Sequence, residues 1–119
     1  MKSLSTEDYL KAIYHVSQSA GGSVATTSIA NKIGAKPSSV TDMFKKLSEQ
    51  KLVNYEKYQG VSLTNEGVKT ALRIVRKHRL WESFLVSHLN FNWDEVHQVA
   101  EQLEHIQSEK LTNELERFL

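Results

Sequence analysis

Thr26-Thr-Ser-Ile-Ala-Asn-Lys-Ile-Gly34-Ala-Lys-Pro37-Ser-Ser-Val-Thr-Asp-Met-Phe44-Lys-Lys-Leu47 is the stretch whose reading decides the fold. Ile29, Ala30 and Ile33 make the apolar face of a short helix, and Thr26 or Thr27 is placed to cap its start. Gly34 follows the last apolar position, where a helix ends in a left-handed residue. Pro37 suits the first turn of the next helix, because its missing N–H has no intrahelical partner there. Val40, Phe44 and Leu47 then repeat as a core stripe. The opposite face shows Ser38, Ser39, Thr41, Asp42, Lys45 and Lys46. Two helices around a tight Gly-containing turn, the second with small polar residues first and lysines after, have the organisation of a helix-turn-helix. Two amphipathic helices of a bundle with no DNA role would share the apolar pattern.

The flanks decide between these. Upstream, Ser5-Thr-Glu-Asp8 has the form of a capping box, and Tyr9, Ile13 and Val16 continue it as a first helix over about 6–18. Downstream, 52–58 and 61–63 read as two short strands around Gln59-Gly60. Three helices followed by a two-stranded wing make a winged helix-turn-helix over residues 1–64. Thr64 caps a long helix running to about Leu89. Its apolar positions, Val68, Leu72, Val75, Trp81, Phe84 and Leu85 with His88, spread over too wide an arc for a lone surface helix. A last helix from Ser108 carries Leu111, Leu115, Phe118 and Leu119. This stripe lies too near the chain end to find cover within the chain, so residues 65–119 read as a helical module that dimerises. The fold class is mainly α.

Between these helices lies His97-Gln-Val-Ala-Glu101-Gln-Leu-Glu104-His105, read as one helix. At about 100° per residue its two histidines and two glutamates share an arc of roughly 100°, opposite Val96, Val99, Ala100, Leu103 and Ile106. No Lys or Arg interrupts the run from Asn92 to Ser108. Either this is an acidic solvated face or it holds a metal ion.

Charge is divided along the chain. Residues 1–60 hold eight Lys against five acids, and residues 61–119 hold seven Lys and Arg against nine acids, so the first half suits an anion and the second a cation. The absence of Cys excludes disulfides, thiolate metal sites and cysteine nucleophiles. Without an apolar leader or an 18-residue apolar run, the expectation is a cytoplasmic protein with no membrane partner.

Joined to Arg76-Lys-His78-Arg-Leu-Trp-Glu82 and the His97–His105 run, the winged helix resembles the metal-dependent repressors of the diphtheria-toxin-repressor and manganese-transport-regulator family. The resemblance spans essentially the whole chain, including Pro37-Ser-Ser-Val-Thr, Tyr55-Glu-Lys-Tyr-Gln-Gly and Leu63-Thr-Asn-Glu-Gly67. It implies a homodimer that binds operator DNA, usually to repress uptake genes, when Mn(II) or Fe(II) is bound. It assigns Asp8, Glu101, Glu104 and His105 to one metal centre, and His78, Glu82 and His97 to a second. His15 and His88 have no partner at ligand spacing and are expected not to ligate. Iron-type members place sulfur ligands where this chain has Asp8 and Glu101, and oxygen there favours a harder ion such as Mn(II). Lys11 stands where manganese-type members carry a first-helix Glu, so separated centres are expected rather than a close pair. Many members add a C-terminal SH3-like domain, so a chain ending at Leu119 is expected to be a fragment or a minimal member.

For DNA, Ser38, Ser39, Thr41 and Asp42 are expected near base edges and Lys36, Lys45, Lys46 and Lys57 at phosphates. Two other classes compete: a winged-helix regulator gated by an organic ligand, and a small metalloenzyme. The second lacks HExxH, a catalytic thiol and a Gly-rich phosphate loop. The expectation is a regulator with no enzymatic activity and no small organic substrate.

Overall fold

The computed structural model describes residues 5–119, as six helices and one two-stranded sheet. The chain divides into two compact units at Leu72/Arg73, a boundary that falls inside the fourth helix.

In the first unit α1 (Thr6–Ala20), α2 (Thr26–Ile33) and α3 (Pro37–Glu49) precede β1 (Val53–Glu56) and β2 (Gly60–Leu63). The Ser5 capping box forms as expected, with the Asp8 carboxylate accepting from Ser5 N at 3.1 Å and Ser5 Oγ accepting from Asp8 N at 3.2 Å. Neither Thr26 nor Thr27 caps α2. Its N-cap is Ala25, whose carbonyl accepts from Ser28 and Ile29, and the threonines lie inside the first turn. Gly34 closes α2 in the left-handed region at φ 69°, and Pro37 opens α3.

The strands are shorter than the expected 52–58 and 61–63, pairing antiparallel from Val53↔Leu63 to Glu56↔Gly60. Lys57, Tyr58 and Gln59 form the tip, with Tyr58 at φ 68°. Val24 adds a third pairing that the sequence did not announce. Its N–H donates to Val61 O at 2.8 Å and its carbonyl accepts from Val61 N at 2.9 Å. Gly60 sits beside this bridge at φ 94°, where a Cβ would lie 2.5 Å from Val24 O, so no other residue fits without moving the backbone. Leu10, Ile13, Ile29, Val40, Phe44, Leu47 and Val61 form the buried core. α3 is thereby fixed by one face, and its polar face is left outside.

The second unit contains the rest of α4 (Asn65–His88), then α5 (Trp93–Leu103) and α6 (Glu109–Phe118). Thr64 caps α4 as expected, accepting from Gly67 N at 3.1 Å, and Asn92 N donates to Glu95 Oε1 at 2.9 Å at the start of α5. Ser108 caps α6 through Leu111 N. The stripe on α6 is only partly uncovered. Leu115 is buried, whereas Leu111, Phe118 and Leu119 are exposed.

Candidate metal centre and DNA-binding face

The expected helix across His97–His105 stops at Leu103. Glu104 caps it, and Glu104 and His105 lie in the turn leading to α6. The expected division into a ligand face and an apolar face also fails at Glu104, and Ile106, expected on the apolar side, is exposed beyond the helix end. Val96, Ala100 and Glu104 follow each other at i, i+4, i+8 and all three are buried, so Glu104 continues the apolar stripe instead of facing outward with His97 and Glu101.

A fully buried carboxylate needs partners. Glu104 Oε1 lies 2.6 Å from Nδ1 of His78, itself 8% exposed, and Oε2 lies 3.9 Å from His105 Nε2. On its other side His78 Nε2 is 3.2 Å from Glu82 Oε2, one helical turn further along α4. The His97 ring stacks edge-on against His78 with centroids 4.8 Å apart. Its Nδ1 is 3.7 Å from the same Glu82 oxygen, and its Nε2 is 3.2 Å from Glu101. Ligand atoms of His78, Glu82 and His97 all fall within 4.8 Å of one another. Lys77 Nζ donates to Ile106 O at 3.3 Å, so α4 holds the ligand-bearing turn at a second point.

This arrangement needs positive charge. A neutral imidazole has one N–H; placed on His78 Nδ1 toward Glu104, it leaves the Nε2 lone pair facing a Glu82 oxygen, acceptor against acceptor. A cation between them removes the conflict. Two imidazoles and a carboxylate, in a chain without Cys, form a donor set for a borderline or hard divalent ion, so the residues present fit such a metal.

Asp8 stands in the first turn of α1, half-buried. Glu101 is exposed on α5 beside His97. His88 stacks on Phe84 and Phe118 and is not part of the cluster of His78, Glu82 and His97.

In the first unit Ser38, Ser39, Asp42, Lys45 and Lys46 are exposed along α3, with Lys36 as its exposed N-cap. Thr41 is half-buried and its hydroxyl donates to Pro37 O at 3.0 Å, which leaves its methyl group and lone pairs for an outside partner. At the wing tip the Lys57 ammonium lies 5.2 Å from the Tyr58 ring centroid, and Tyr58 is 93% exposed. Sequence reading counted Tyr58 as a strand residue. The signal available was its place beside Gln59-Gly60, where a turn puts a side chain in water.

Fold and donor set together define a DNA-binding regulator with a metal centre in its helical half, and comparison with known proteins agrees. Residues 1–61 match the iron-dependent repressor N-terminal DNA-binding domain, and residues 64–119 match the iron-dependent repressor metal-binding and dimerisation domain. An uncharacterised HTH-type transcriptional regulator of Methanocaldococcus jannaschii is 38% identical over 98% of this chain and 94% of its own length. The HTH-type transcriptional regulator MntR of Oceanobacillus iheyensis is 37% identical over 88% of this chain and 70% of its own length. A manganese-dependent transcriptional repressor solved with manganese superposes with a TM-score of 0.86 at 39% identity, over 96% of this chain and 52% of that one. The chain spans about half the length of this structure and of other manganese-regulator structures it matches.

The chain belongs to the iron-dependent repressor family, whose members include the diphtheria-toxin-repressor and manganese-transport-regulator proteins. This is a family of DNA-binding transcriptional regulators, not of enzymes.

Proposed function

We propose that this protein is a transcriptional repressor that senses Mn(II) or Fe(II) and binds an inverted-repeat operator as a homodimer. The observation that carries the reading is the buried His78 imidazole with a carboxylate oxygen at each ring nitrogen and a second imidazole beside it. His78, Glu82 and His97 would hold one ion. Asp8, Glu101, Glu104 and His105 would hold another, an assignment that rests on the family resemblance. The bound ion supplies the positive charge that lets clustered carboxylates sit together. No described helix is long and apolar enough to cross a membrane, and a repressor that meets operator DNA works in the cytoplasm.

Ser38, Ser39, Thr41 and Asp42 would face base edges, with Lys36, Lys45, Lys46 and Lys57 on phosphates and Tyr58 beside Lys57 at the wing tip. Few of these side chains offer a bidentate base contact, so DNA shape and thymine methyl groups would carry much of the specificity. The surface for the second copy would be the apolar groove of about 560 Å³ lined by Trp81, Phe84, Leu111, Leu115 and Phe118. The matched dimerisation domain supports it.

Operator binding measured against a panel of Mn(II), Fe(II), Co(II), Zn(II) and Mg(II), with a chelated control, tests the function. The expected result is tight binding with Mn(II) or Fe(II) and weak binding in chelator. Binding that ignores metal, or that answers only to an organic ligand, would overturn it.

A further inference from the structure

The second unit holds a cavity of about 400 Å³ that shares no lining residue with the apolar groove, and its walls are mainly polar and basic. Arg73, Arg76 and Lys77 line it from α4, at i, i+3 and i+4 of one face, and the turn at 106–108 with the start of α6 supplies the rest. Of the three cations only Arg76 is neutralised, by Glu116 at 3.0 Å. Arg73 is exposed and has no ion pair or hydrogen bond among the described residues, and Lys77 directs one N–H to the neutral carbonyl of Ile106 at 3.3 Å. Glu109, the one acid of the lining among the described residues, pairs with neither. We propose that this cavity binds a phosphate-bearing small molecule, with the phosphate between Arg73 and Lys77 and the body of the ligand along the hydroxyls and amides of the α6 side. The inference goes beyond the metal-sensing function and does not rest on it.

Like charges three and four residues apart on a helix repel. Two uncompensated cations at that spacing are therefore an arrangement that a bound anion relieves. Their summed charge matches a phosphate monoester, which carries about −1.5 to −2 at neutral pH. A phosphodiester of a nucleic-acid backbone, with a single charge, matches the pair less well. The Arg73 guanidinium offers a fork of donors and the Lys77 ammonium a rotatable point charge, a combination suited to tetrahedrally placed oxygens. The α6 side adds donors. Ser108 Oγ accepts from Leu111 N at 3.1 Å and keeps its own proton to donate. The backbone N–H of Glu109 lies in the first turn of α6, has no acceptor among the described residues, and sits where the helix dipole favours negative charge. Thr112, 8% exposed, has its hydroxyl proton on Ser108 O at 3.1 Å, so it accepts from a ligand hydroxyl instead of donating to phosphate. Asn113 offers both a donor and an acceptor. The volume falls within the range of small-molecule sites, about 300–1,000 Å³, and exceeds what a bare phosphate ion fills, so the ligand has a polar body beyond its phosphate.

The test is titration of the intact chain, freed of divalent ions on a chelating resin, with glycerol 3-phosphate, inorganic phosphate and succinate. Binding is read from ¹H–¹⁵N spectra of the backbone amides and the arginine Nε–H groups. Glycerol 3-phosphate should saturate at one per chain, move the Arg73 Nε–H and Glu109 amide signals most, and bind more tightly than inorganic phosphate or succinate. Arg73→Gln, at an exposed position, should weaken it by about 10-fold or more, the scale of one charge-assisted hydrogen bond. Lys69→Gln removes an exposed cation of α4 that does not line the cavity and should leave the affinity unchanged. Glu109→Gln removes the carboxylate from the lining and should tighten binding a few-fold. Equal losses in Arg73→Gln and Lys69→Gln would reduce the effect to general attraction between charges and overturn the proposal, as would binding that never saturates or succinate binding as tightly as glycerol 3-phosphate. If Arg73→Gln kept native affinity for glycerol 3-phosphate and weakened DNA binding instead, this face of α4 would be a nucleic-acid contact and the small-molecule site would be wrong.

Discussion

Glu104 and Gly67 each sit against one close partner, His78 Nδ1 at 2.6 Å from the carboxylate and the Leu52 carbonyl beside the glycine. Glu104 was legible as a ligand type but not as a buried one, because helical-wheel reasoning groups charge with charge. The i, i+4, i+8 spacing from Val96 through Ala100 put it on the apolar side, and only a dedicated partner, His78, makes that tolerable. Gly67, near the start of α4, is by propensity a weak helix former. In the structure a Cβ at this position would lie 2.0 Å from the Leu52 carbonyl oxygen, which also accepts from Thr64 N at 3.1 Å. The glycine lets the first turn of α4 press against the strand entry. Helix propensity alone predicts that Gly67→Ala stabilises by up to about 1 kcal/mol. The backbone clash predicts a net loss on the order of 1–3 kcal/mol, the usual range for overpacking. Urea denaturation decides the sign; a variant with a raised midpoint would show that the helix start can shift at little cost.

At the scale of elements, the sequence was most readable where one helix face alternates with another. The core stripes of α1 and α3 and the caps at Ser5 and Thr64 fall where spacing put them. Elements held by long-range pairing were less readable. The Val24–Val61 bridge joins the segment before α2 to the wing across thirty-odd residues, and nothing local to Val24 marks it as a strand. That bridge, with Gly60, anchors the base of the wing and leaves Lys57 and Tyr58 at its tip. The exposed face of α3 makes an electrostatic prediction. Lys45→Ala should weaken binding to every DNA sequence about equally and reduce the slope of log K against log salt by about one unit, as expected for one lost phosphate contact. A loss confined to the operator, with the slope unchanged, would instead make Lys45 a reader of bases.

For the whole molecule, the apolar groove on the second unit carries the prediction about assembly. Phe118 is 62% exposed yet stacks on Phe84 and His88, an ordered aromatic cluster open on one side. Placing a carboxylate there by Phe118→Asp should cost little in the monomer and weaken self-association at least 10-fold, about 1.4 kcal/mol. Sedimentation at micromolar concentration would read this as a shift to monomer, with operator affinity falling in step because two recognition helices must face half-sites about 34 Å, or twice that, apart. A native chain that stays monomeric with metal and DNA present would remove the dimer from the account.

The same scale sets the link between metal and DNA. The DNA-facing residues belong to the first unit and His78, Glu82, His97 and Glu104 to the second, so regulation needs a coupling free energy between them. A coupling of about 1–3 kcal/mol, roughly 5- to 150-fold in operator affinity, would be typical, and linkage requires DNA to tighten metal binding by the same factor. The proposed carrier of this coupling is Asp8, the one assigned ligand from the first unit. Asp8→Ala should therefore leave the His78 centre able to bind metal and remove the metal-dependent gain in operator affinity. Asp8 is also the N3 residue of the α1 capping box, so the variant loses a cap on the order of 1 kcal/mol in addition to a ligand. Ser5→Ala separates the two effects: it removes the hydroxyl that accepts from Asp8 N and keeps the carboxylate. If the coupling runs through the carboxylate, Ser5→Ala lowers stability and keeps the full metal response, while Asp8→Ala loses it. Equal loss of response in both variants would assign the coupling to the stability of α1, and full response in Asp8→Ala would remove Asp8 from the ligand set.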